Sequence, residues 1–474
     1  MIFQRFYDDA LAQASYLIGC GQTGEALVID PTREAEQYVA AAEAEELRIT
    51  MVTETHIHAD YLSGSRELAR RTGATLLLSD EGGTGWRYGF AKEDGAVLLK
   101  DGDRFKVGNI LIEVLHTPGH TPEHLAFVVT DTAGATGPMG IVTGDFVFVG
   151  DVGRPDLLEK AAKVAGSAET AARTLWKSLA KFRALPDHLQ VWPGHGAGSA
   201  CGKGLSAVPQ STVGYEKLFN WAFGSANEEE FVAQVLADQP EPPRYFAEMK
   251  RLNRDGPPIL GGFRQPPRLE ARKLAPLLAG GATVVDARAS LAFIEGHIPG
   301  TIHIPLGRSF TTWAGWLLSY DRPFYVIVPE DAPDRLDEVV RDLAMIGLDG
   351  MTGWFGEDAI AAWAAAGHPL SVTPTVTPEA LAAGRRNGDP MIIDVRGAAE
   401  WKAGHMPGVP NIPLGYLADH LADLPRDRPL VMHCQGGGRS VIAASLLEAS
   451  GIRGAINLTG GFGAWEKAGL PVER

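Results

Sequence analysis

The stretch Thr55-His56-Ile57-His58-Ala59-Asp60-Tyr61 decides how the first half of this 474-residue chain is interpreted. It directly follows a strand-like run, Met51-Val52-Thr53. In an extended segment residues two apart point the same way, so His56, His58 and Asp60 can project together from one edge. Imidazole and carboxylate groups together are ligands that divalent metal ions take. The stretch therefore predicts a metal site that needs further ligands from elsewhere in the chain.

Three later segments offer these ligands, each with a polar residue after a short apolar run and next to a glycine. They are His116-Thr117-Pro118-Gly119-His120-Thr121-Pro122-Glu123-His124, Thr143-Gly144-Asp145 and Pro193-Gly194-His195-Gly196. The glycines allow the backbone to turn closely at these places. Four strand-end placements of matching chemistry favour one shared metal site over unrelated loop residues.

The series His-x-His-x-Asp, Thr-Pro-Gly-His, Thr-Gly-Asp and Pro-Gly-His, in that order, resembles the metallo-β-lactamase superfamily over about residues 1–245. Within it, the continuation Gly144-Asp145-Phe146-Val147-Phe148-Val149-Gly150-Asp151-Val152-Gly153-Arg154-Pro155-Asp156-Leu157 resembles the persulfide dioxygenases. The resemblance implies an αβ/βα sandwich with metal ligands on loops at one sheet edge. Tyr61 stands where most of the superfamily has another histidine, which argues against a dinuclear zinc hydrolase.

The same resemblance implies that one ferrous ion per chain is bound by two histidines and one aspartate, a set whose open positions suit oxygen chemistry. Carried over to this sequence, the ligands are His56, His120 and Asp145. Residues that orient the ligands or hold water would be His58, Asp60, Tyr61 and His195. Candidate contacts for the carboxylates of a thiol carrier are Arg154, Tyr215 and Lys217.

Length and composition predict about three globular domains, because 45% of the residues are hydrophobic. The net charge is −15 without a basic run, which argues against nucleic acid or an anionic membrane surface as a partner. No apolar stretch approaches the roughly 20 residues that span a bilayer, and the N-terminal residues are unlike a secretory signal. Three widely separated cysteines do not form a disulfide framework. We therefore predict a cytoplasmic protein.

Proline and glycine positions divide the chain. An Ala-, Lys- and Leu-rich stretch predicts a helix over about residues 160–184. The Pro-rich passage from Pro240 to Pro267 predicts a stiff extended linker. The predicted organisation is a metallo-β-lactamase-like domain over 1–245, a linker over 246–268, and two further domains over 269–372 and 373–474.

An internal repeat defines those two further domains. Val284-Val285-Asp286-Ala287-Arg288 matches Ile392-Ile393-Asp394-Val395-Arg396, and Gly296-His297-Ile298-Pro299-Gly300 matches Gly404-His405-Met406-Pro407-Gly408, both with an offset of 108 residues. The repeated motifs resemble rhodanese modules, which are small α/β domains with a central parallel sheet. His297 and His405 occupy matching turn positions, so a packing role is favoured for both.

The second copy carries a cysteine with a distinctive setting. A buried-strand run, Pro429-Leu430-Val431-Met432-His433, ends at Cys434 and is followed by a glycine-rich loop and a helix. Backbone N–H groups, the helix N-terminus and the Arg439 charge all favour a thiolate there. The sulfur-binding loop consists of Gln435, Gly436, Gly437, Gly438 and Ser440. This pattern resembles the rhodanese active site, with Cys434 as the persulfide carrier.

The first copy lacks these features. Aligning Arg322-Pro323 with Arg428-Pro429 places Val328 opposite Cys434, without a glycine loop. The first copy is therefore interpreted as inactive, a spacer or docking domain. Cys20 and Cys201 lack an activating setting and are predicted to be non-catalytic, although the loop that carries Cys201 follows the His195 motif.

Three functional hypotheses remain. The first is an iron persulfide dioxygenase that uses O2 to oxidise glutathione or coenzyme A persulfide to sulfite and thiol, coupled to a rhodanese that interconverts sulfite plus persulfide and thiosulfate. The second is a zinc thioester hydrolase of the glyoxalase II kind. The third makes the repeats interaction or sulfur-carrier modules. The sequence leaves open the carrier thiol, the direction of sulfur transfer and the oligomeric state, including a homo-oligomer.

Overall fold

The structure, a computed structural model, describes residues 1–157, 159, 166–384 and 390–474. These residues form two compact units. The first is Met1–Phe263 with Ala344–Gly347, and the second is Arg264–Leu343 with Leu348–Arg474. Among the described residues, no helix has the length and apolar character required to cross a membrane.

The first unit contains two six-stranded sheets. Sheet one runs in the order β1 (Ile2–Asp8), β2 (Gln13–Cys20), β3 (Glu25–Ile29), β4 (Arg48–Thr53), β5 (Thr75–Ser79), β6 (Val97–Leu99). Sheet two, in chain order, contains β7 (Arg104–Val107), β8 (Ile110–His116), β9 (Leu125–Asp131), β10 (Gly140–Gly144), β11 (Gln190–Pro193) and β12 (Ser211–Thr212). Within sheet two, β10 and β11 are parallel and the other neighbouring pairs are antiparallel.

Inner strands such as β2 and β10 are buried on both faces, because alternate side chains of a strand point to opposite faces and enter two different cores. In β2, Tyr16 and Ile18 face the core between the sheets, whereas Leu17 joins the core under the outer helices. The described residues of this unit form the helices Ala35–Ala44, Ser65–Thr72, Ser167–Arg183, Val213–Phe219, Trp221–Gly224, Glu228–Leu236 and Tyr245–Asp255, with a 3-10 turn at Thr84–Trp86. Helices thus cover the outer faces of a sandwich of sheets. The opening residues of the helix expected over 160–184 lie outside the described residues.

The predicted extended linker is wrong over Tyr245–Asp255, which forms a helix. Its buried residues include Tyr245, Phe246 and Met249, whose helical spacing gives one apolar face. The proline pairs of the passage flank the helix and do not interrupt it, so proline content alone was misleading.

The second unit contains two four-stranded parallel sheets, as predicted for the two copies. The first is formed by β13 (Thr283–Asp286), β14 (Ile302–His303), β15 (Phe324–Val328) and β16 (Met351–Gly356). The second is formed by β17 (Thr375–Val376), β18 (Met391–Asp394), β19 (Leu430–His433) and β20 (Ile456–Leu458). The predicted α/β class is confirmed: helices flank two stacked six-stranded sheets in the first unit and two parallel four-stranded sheets in the second. The domain boundaries stay predictions.

Helices flank both parallel sheets. In the first copy they are Leu274–Ala279, Ser290–Glu295, Phe310–Leu317, Arg335–Met345 and Asp358–Ala365, with a 3-10 turn at Ala271–Lys273. In the second copy they are Pro378–Gly384, Ala398–Ala403, Gly438–Ala449 and Gly461–Lys467, with a 3-10 helix at Leu414–His420.

Candidate metal centre and cysteine loop

Loops at the ends of four strands converge at one edge of the sandwich. The segment after β4 is tied to the start of β9 by the bond from Leu125 N–H to the Thr55 carbonyl, 2.7 Å. The ends of β10 and β11 are joined by the bond from Gly194 N–H to the Gly144 carbonyl, 2.9 Å. A Cβ on Gly194 would lie 2.7 Å from the Asp145 carboxylate, so only glycine fits there. These contacts bring the separate sequence motifs together.

The predicted ligands form one group of donor atoms. Atoms of His56, His120 and Asp145 all lie within 4.8 Å of one another. His120 Nε2 is 3.5 Å and His56 Nε2 4.0 Å from Asp145 Oδ2. His56 Nε2 and both Asp145 oxygens are buried without a hydrogen-bond partner. Buried polar atoms without partners are costly, so the group fits a cation that would satisfy them.

The tautomers of the two histidines suit metal binding. His120 donates from Nδ1 to the Arg154 carbonyl at 3.0 Å, which leaves the Nε2 lone pair facing Asp145. His56 donates from Nδ1 to Thr55 Oγ1, because that hydroxyl itself donates to Asp30. Burial lowers the pKa of both imidazoles, most strongly that of His56. Neutral imidazoles are the form that binds a metal ion.

A second group of donors adjoins the first. Atoms of Asp60, His195 and Cys201 lie within 4.8 Å of one another. His195 Nε2 is 3.2 Å from Asp60 Oδ2 and 3.5 Å from Asp145 Oδ1, while its Nδ1 donates to the Ala12 carbonyl. Burial raises the pKa of the Cys201 thiol well above its usual value. Thus His195 contacts both Asp60 and the predicted ligand Asp145.

The side chains of His58 and Tyr61 are both directed to Asp30. His58 donates from Nε2 to Asp30 Oδ1 at 3.0 Å, and this carboxylate outweighs burial to raise the pKa of His58 to about 9. The Tyr61 hydroxyl donates to the Asp30 carbonyl at 3.2 Å. The rings of His56 and His58 pack together with centroids 4.1 Å apart, but His58 Nε2 is directed to Asp30 and away from the predicted ligands, because the motif is a loop and not an extended strand.

Three residues of this centre were missed by sequence reasoning. His124 Nε2 accepts a hydrogen bond from the Asp145 N–H at 3.1 Å and so orients the backbone of Asp145. Asp30 accepts bonds from Thr55 and His58. Asn253, on the helix within the predicted linker, donates to the backbone carbonyls of the histidine loop at 2.8 Å. Only His124 had a signal, as the third histidine of its segment.

The predicted substrate contacts are dispersed. The Arg154 guanidinium is fully buried and bidentate to Asp156 at 2.8 Å, so it supports His120 through its backbone and offers no free charge to a substrate. Lys217 donates to Asp187 Oδ1 and the Leu185 carbonyl. Tyr215 is 48% exposed. The substrate role of these three residues stays a prediction, with least support for Arg154 and Lys217.

In the second unit, Cys434 lies at the end of β19 and before the helix Gly438–Ala449. Gly437, whose φ of +100° suits glycine, directs its N–H to Cys434 Sγ at 3.1 Å. Ser440 Oγ is 3.6 Å from the same sulfur. The sulfur of Cys434 thus accepts the Gly437 N–H immediately before the helix Gly438–Ala449 begins.

Charged groups near Cys434 are held in pairs. Arg439 makes a bidentate contact with Glu400 at 2.6 and 2.7 Å, and Glu400 was not among the predicted residues. Burial opposes the charge of Glu400, but Arg439 outweighs it and lowers the carboxyl pKa. Arg396 is bound to Asp394 and reaches Gln435 Oε1 at 3.2 Å. Burial lowers the pKa of His433 to about 4, so this imidazole is neutral.

The corresponding place in the first copy has different chemistry. Val328 is buried at the end of β15, and the residue opposite the start of the glycine loop is a proline. Arg268 forms ion pairs with Glu330 at 2.8 Å and Asp358 at 3.0 Å near this strand end. No thiol lies there, consistent with the interpretation of an inactive copy.

Comparisons with known proteins support both halves. A family model described as the metallo-beta-lactamase superfamily matches residues 8–195, and one described as the rhodanese-like domain matches residues 377–468. A crystal structure of a metallo-beta-lactamase from Staphylococcus aureus subsp. aureus COL is 44% identical, with a TM-score of 0.69, and the match covers 75% of this chain and 99% of that one.

Two curated relatives match a smaller part of this chain than that crystal structure does. A hydroxyacylglutathione hydrolase of Rhodospirillum rubrum is 33% identical over 180 residues, 38% of this chain and 60% of that protein. A beta-lactamase hydrolase-like protein of Xylella fastidiosa (strain 9a5c) is 28% identical over 292 residues, 56% of this chain and 62% of that protein. The chain thus spans about six-tenths of the length of these curated relatives.

The chain belongs to the metallo-beta-lactamase superfamily. It joins a metallo-beta-lactamase domain, whose candidate His and Asp ligands could hold a metal ion, to a C-terminal rhodanese-like domain.

Proposed function

We propose that the protein is a non-haem iron persulfide dioxygenase coupled to a sulfurtransferase. The observation that carries this proposal is the cluster of unpartnered donors from His56, His120 and Asp145. Two imidazoles and one carboxylate are the donor set of ferrous oxygenases, with open positions for substrate and O2. When bound, ferrous iron would supply the redox chemistry between these two reactants.

The overall reaction needs no further oxidant. A thiol persulfide R–S–SH, O2 and water give R–SH, sulfite and two protons, so that the terminal sulfur loses four electrons and O2 gains them. Glutathione or coenzyme A persulfide is the proposed substrate. The contribution of the chain is to fix the donors: the Arg154 carbonyl orients His120, and His124 orients the Asp145 backbone.

Asp60 and His195 would then act beside the ion and not as its main ligands. His195 is fixed through Nδ1, so its Nε2 can hold a water or a proton shared with Asp60. The Tyr61 hydroxyl is directed to the Asp30 carbonyl and supplies no ligand for a second metal ion. This favours one ion over a pair.

The Cys434 site would handle the sulfane sulfur. The Cys434 thiolate takes the outer sulfur from a persulfide, releasing the thiol, and sulfite then attacks the outer sulfur of the Cys434 persulfide to give thiosulfate and restore the thiolate. The reverse direction uses thiosulfate as donor and releases sulfite. The Gly437 N–H and Arg439 would stabilise the anionic sulfur in either direction.

A zinc thioester hydrolase is the second candidate, favoured by the similarity to hydroxyacylglutathione hydrolase. Zinc would activate water for attack on a thioester carbonyl. The presence of the Cys434 loop in the same chain and the Tyr61 position favour the persulfide reaction instead.

Product analysis separates the two candidates. Anaerobically purified protein is supplied with glutathione persulfide and a known amount of O2. The proposal expects one O2 consumed and one sulfite formed for each persulfide, with no thioester hydrolysis. Hydrolysis of a glutathione thioester without O2, together with no sulfite, would instead establish the second candidate.

A further inference from the structure

The two rhodanese-like copies share one turn motif with a histidine, but this histidine contacts a different carboxylate in each copy. In each copy a histidine donates from Nδ1 to the carbonyl four residues earlier: His297 to Phe293 at 2.8 Å and His405 to Trp401 at 3.1 Å. In each, the ring stacks on that earlier aromatic residue at 3.8 Å. The local structure of the two histidines is therefore matched.

The outer ring nitrogen distinguishes the copies. His405 Nε2 lies 3.3 Å from Glu473, the residue that bridges to it within its own copy. The first copy has Ser371 at the bridging position, so it has no carboxylate there. His297 Nε2 instead contacts Glu448 Oε2 of the second copy at 2.7 Å, and Ser371 donates to the other oxygen of Glu448 at 2.6 Å.

Glu448 belongs to the helix that begins at the Cys434 loop. This helix, Gly438–Ala449, has eight consecutive buried residues from Ser440 to Leu447, none of them charged. Burial on all sides requires a second layer beyond the helix's own sheet. The first copy provides it: Ile302, Trp313 and Leu317 pack against the core to which this helix contributes.

Polar contacts fix the same helix along its length. The His303 N–H donates to Ser445 Oγ at 2.9 Å, one turn before Glu448. At the other end of the helix, the Gly437 N–H contacts Cys434 Sγ. A buried helix transmits displacement along its axis, so its C-terminal anchor bears on the position of its N-terminus.

We propose that the first rhodanese-like copy is part of the sulfur-transfer machinery, in which His297 is a positioning residue that holds the Cys434 helix through Glu448. This inference rests on the proposed sulfurtransferase function. It replaces the interpretation of the first copy as a spacer or docking domain. The partner of His297 is thus the second rhodanese-like copy, within the same molecule.

The test compares His297→Ala with His405→Ala in the full chain. The two substitutions remove the same stacking and the same Nδ1 bond, but only the first removes a contact with the Cys434 helix. We expect His297→Ala to reduce sulfur transfer from thiosulfate to cyanide about tenfold, and His405→Ala to change it less than twofold. Persulfide-dependent oxygen uptake should be unchanged in both variants.

A second readout does not depend on turnover. The rate of Cys434 alkylation by iodoacetamide at neutral pH, followed by mass spectrometry of the Cys434 peptide, should fall about fivefold in His297→Ala and stay near wild type in His405→Ala. His297→Gln, which can still donate to Glu448, should recover most of the rate. It also keeps the test valid if the alanine variant folds poorly.

The outcomes separate the two proposals. Equal alkylation and transfer rates in His297→Ala, His405→Ala and wild type would overturn the positioning role. Absence of transfer in the wild type would contradict the sulfurtransferase proposal, while the alkylation rates would still decide whether His297 positions Cys434.

Discussion

The two candidate reaction centres differ in how completely the chain satisfies its own polar atoms. At the metal centre, His56 Nε2, both Asp145 oxygens, both Asp60 oxygens and His195 Nε2 are buried without a hydrogen-bond partner. At the Cys434 loop, Arg439 is paired with Glu400, and the sulfur receives the Gly437 N–H. His433 is the exception there, because its buried ring nitrogens lack hydrogen bonds.

This difference indicates two kinds of chemistry. A buried group of unpartnered donors is costly unless an ion completes it, so the metal centre depends on a cofactor. The cysteine loop has its stabilising donors and charges already in place, so it can act through its own side chain. Loss of activity at one centre should therefore leave the other centre active, and the following variants test this independence.

The largest effect is expected for Cys434→Ser. Serine cannot carry a sulfane sulfur, so sulfur transfer should fall by roughly a thousandfold or more. Iron content and persulfide-dependent oxygen uptake should stay at the wild-type level, since Cys434 lies outside the metal centre. Cys20→Ser is the matched control and should retain transfer. Transfer activity that survives in Cys434→Ser would refute the role of this thiol.

The reciprocal variant is Asp145→Ala. It removes the carboxylate that faces both His56 and His120. Iron content should fall to a small fraction of wild type and oxygen uptake by at least about a hundredfold, while Cys434 transfer continues. Asp187→Asn, an exposed carboxylate beside Lys217, is the control. Full iron content in Asp145→Ala would show that the ligand assignment is wrong.

The stability of the second unit should depend on pH through His433. Burial lowers the pKa of His433 to about 4, despite nearby Asp394 and with Arg396 adding to the effect. The unfolded chain takes up this proton below about pH 6.5, whereas the folded chain does not until about pH 4. Stability is therefore lost as the pH falls through this window.

Between pH 7 and pH 5 this histidine should remove about 2 kcal/mol of stability, measured by urea unfolding. His433→Phe should lose that part of the pH dependence, whereas His420→Gln, at an exposed histidine, should keep it. An unchanged slope in His433→Phe would show that His433 is not the group that titrates.

A smaller effect is expected for Glu400→Gln. The amide keeps at most part of the bidentate contact with Arg439 and loses its charge. Sulfur transfer should fall about tenfold in kcat, with oxygen uptake unchanged. Glu466→Gln breaks a surface pair with Arg474 and should have no effect. Wild-type kcat in Glu400→Gln would mean that Arg439 needs no fixed partner.

Sequence motifs predicted the α/β layers and, through their resemblance to a known family, the group of His56, His120 and Asp145, whose donor atoms lie within 4.8 Å of one another. Side-chain directions within the loop could not be predicted in the same way. His58 turns to Asp30, a residue from another strand end with φ of +54°, and no local pattern indicates that pairing. Long-range partners decide the orientation of a loop side chain.

The sequence of the helix Gly438–Ala449 contains a pattern that predicts its burial. Its run Val441 to Leu447 has no charged residue, whereas the corresponding helix of the first copy, Arg335–Met345, has five. A helix without a polar face predicts burial on both sides and hence a covering partner. The residue that supplies the contact, His297, could not be identified because its repeat counterpart His405 bonds within its own copy.

The most direct test of the account is iron content measured together with oxygen uptake in anaerobically purified protein. We expect about one iron per chain and an oxygen-uptake rate with glutathione persulfide that rises in proportion to iron occupancy, while zinc-loaded protein is inactive. Two zinc ions per chain, or iron-loaded protein that consumes no oxygen with persulfide, would contradict it.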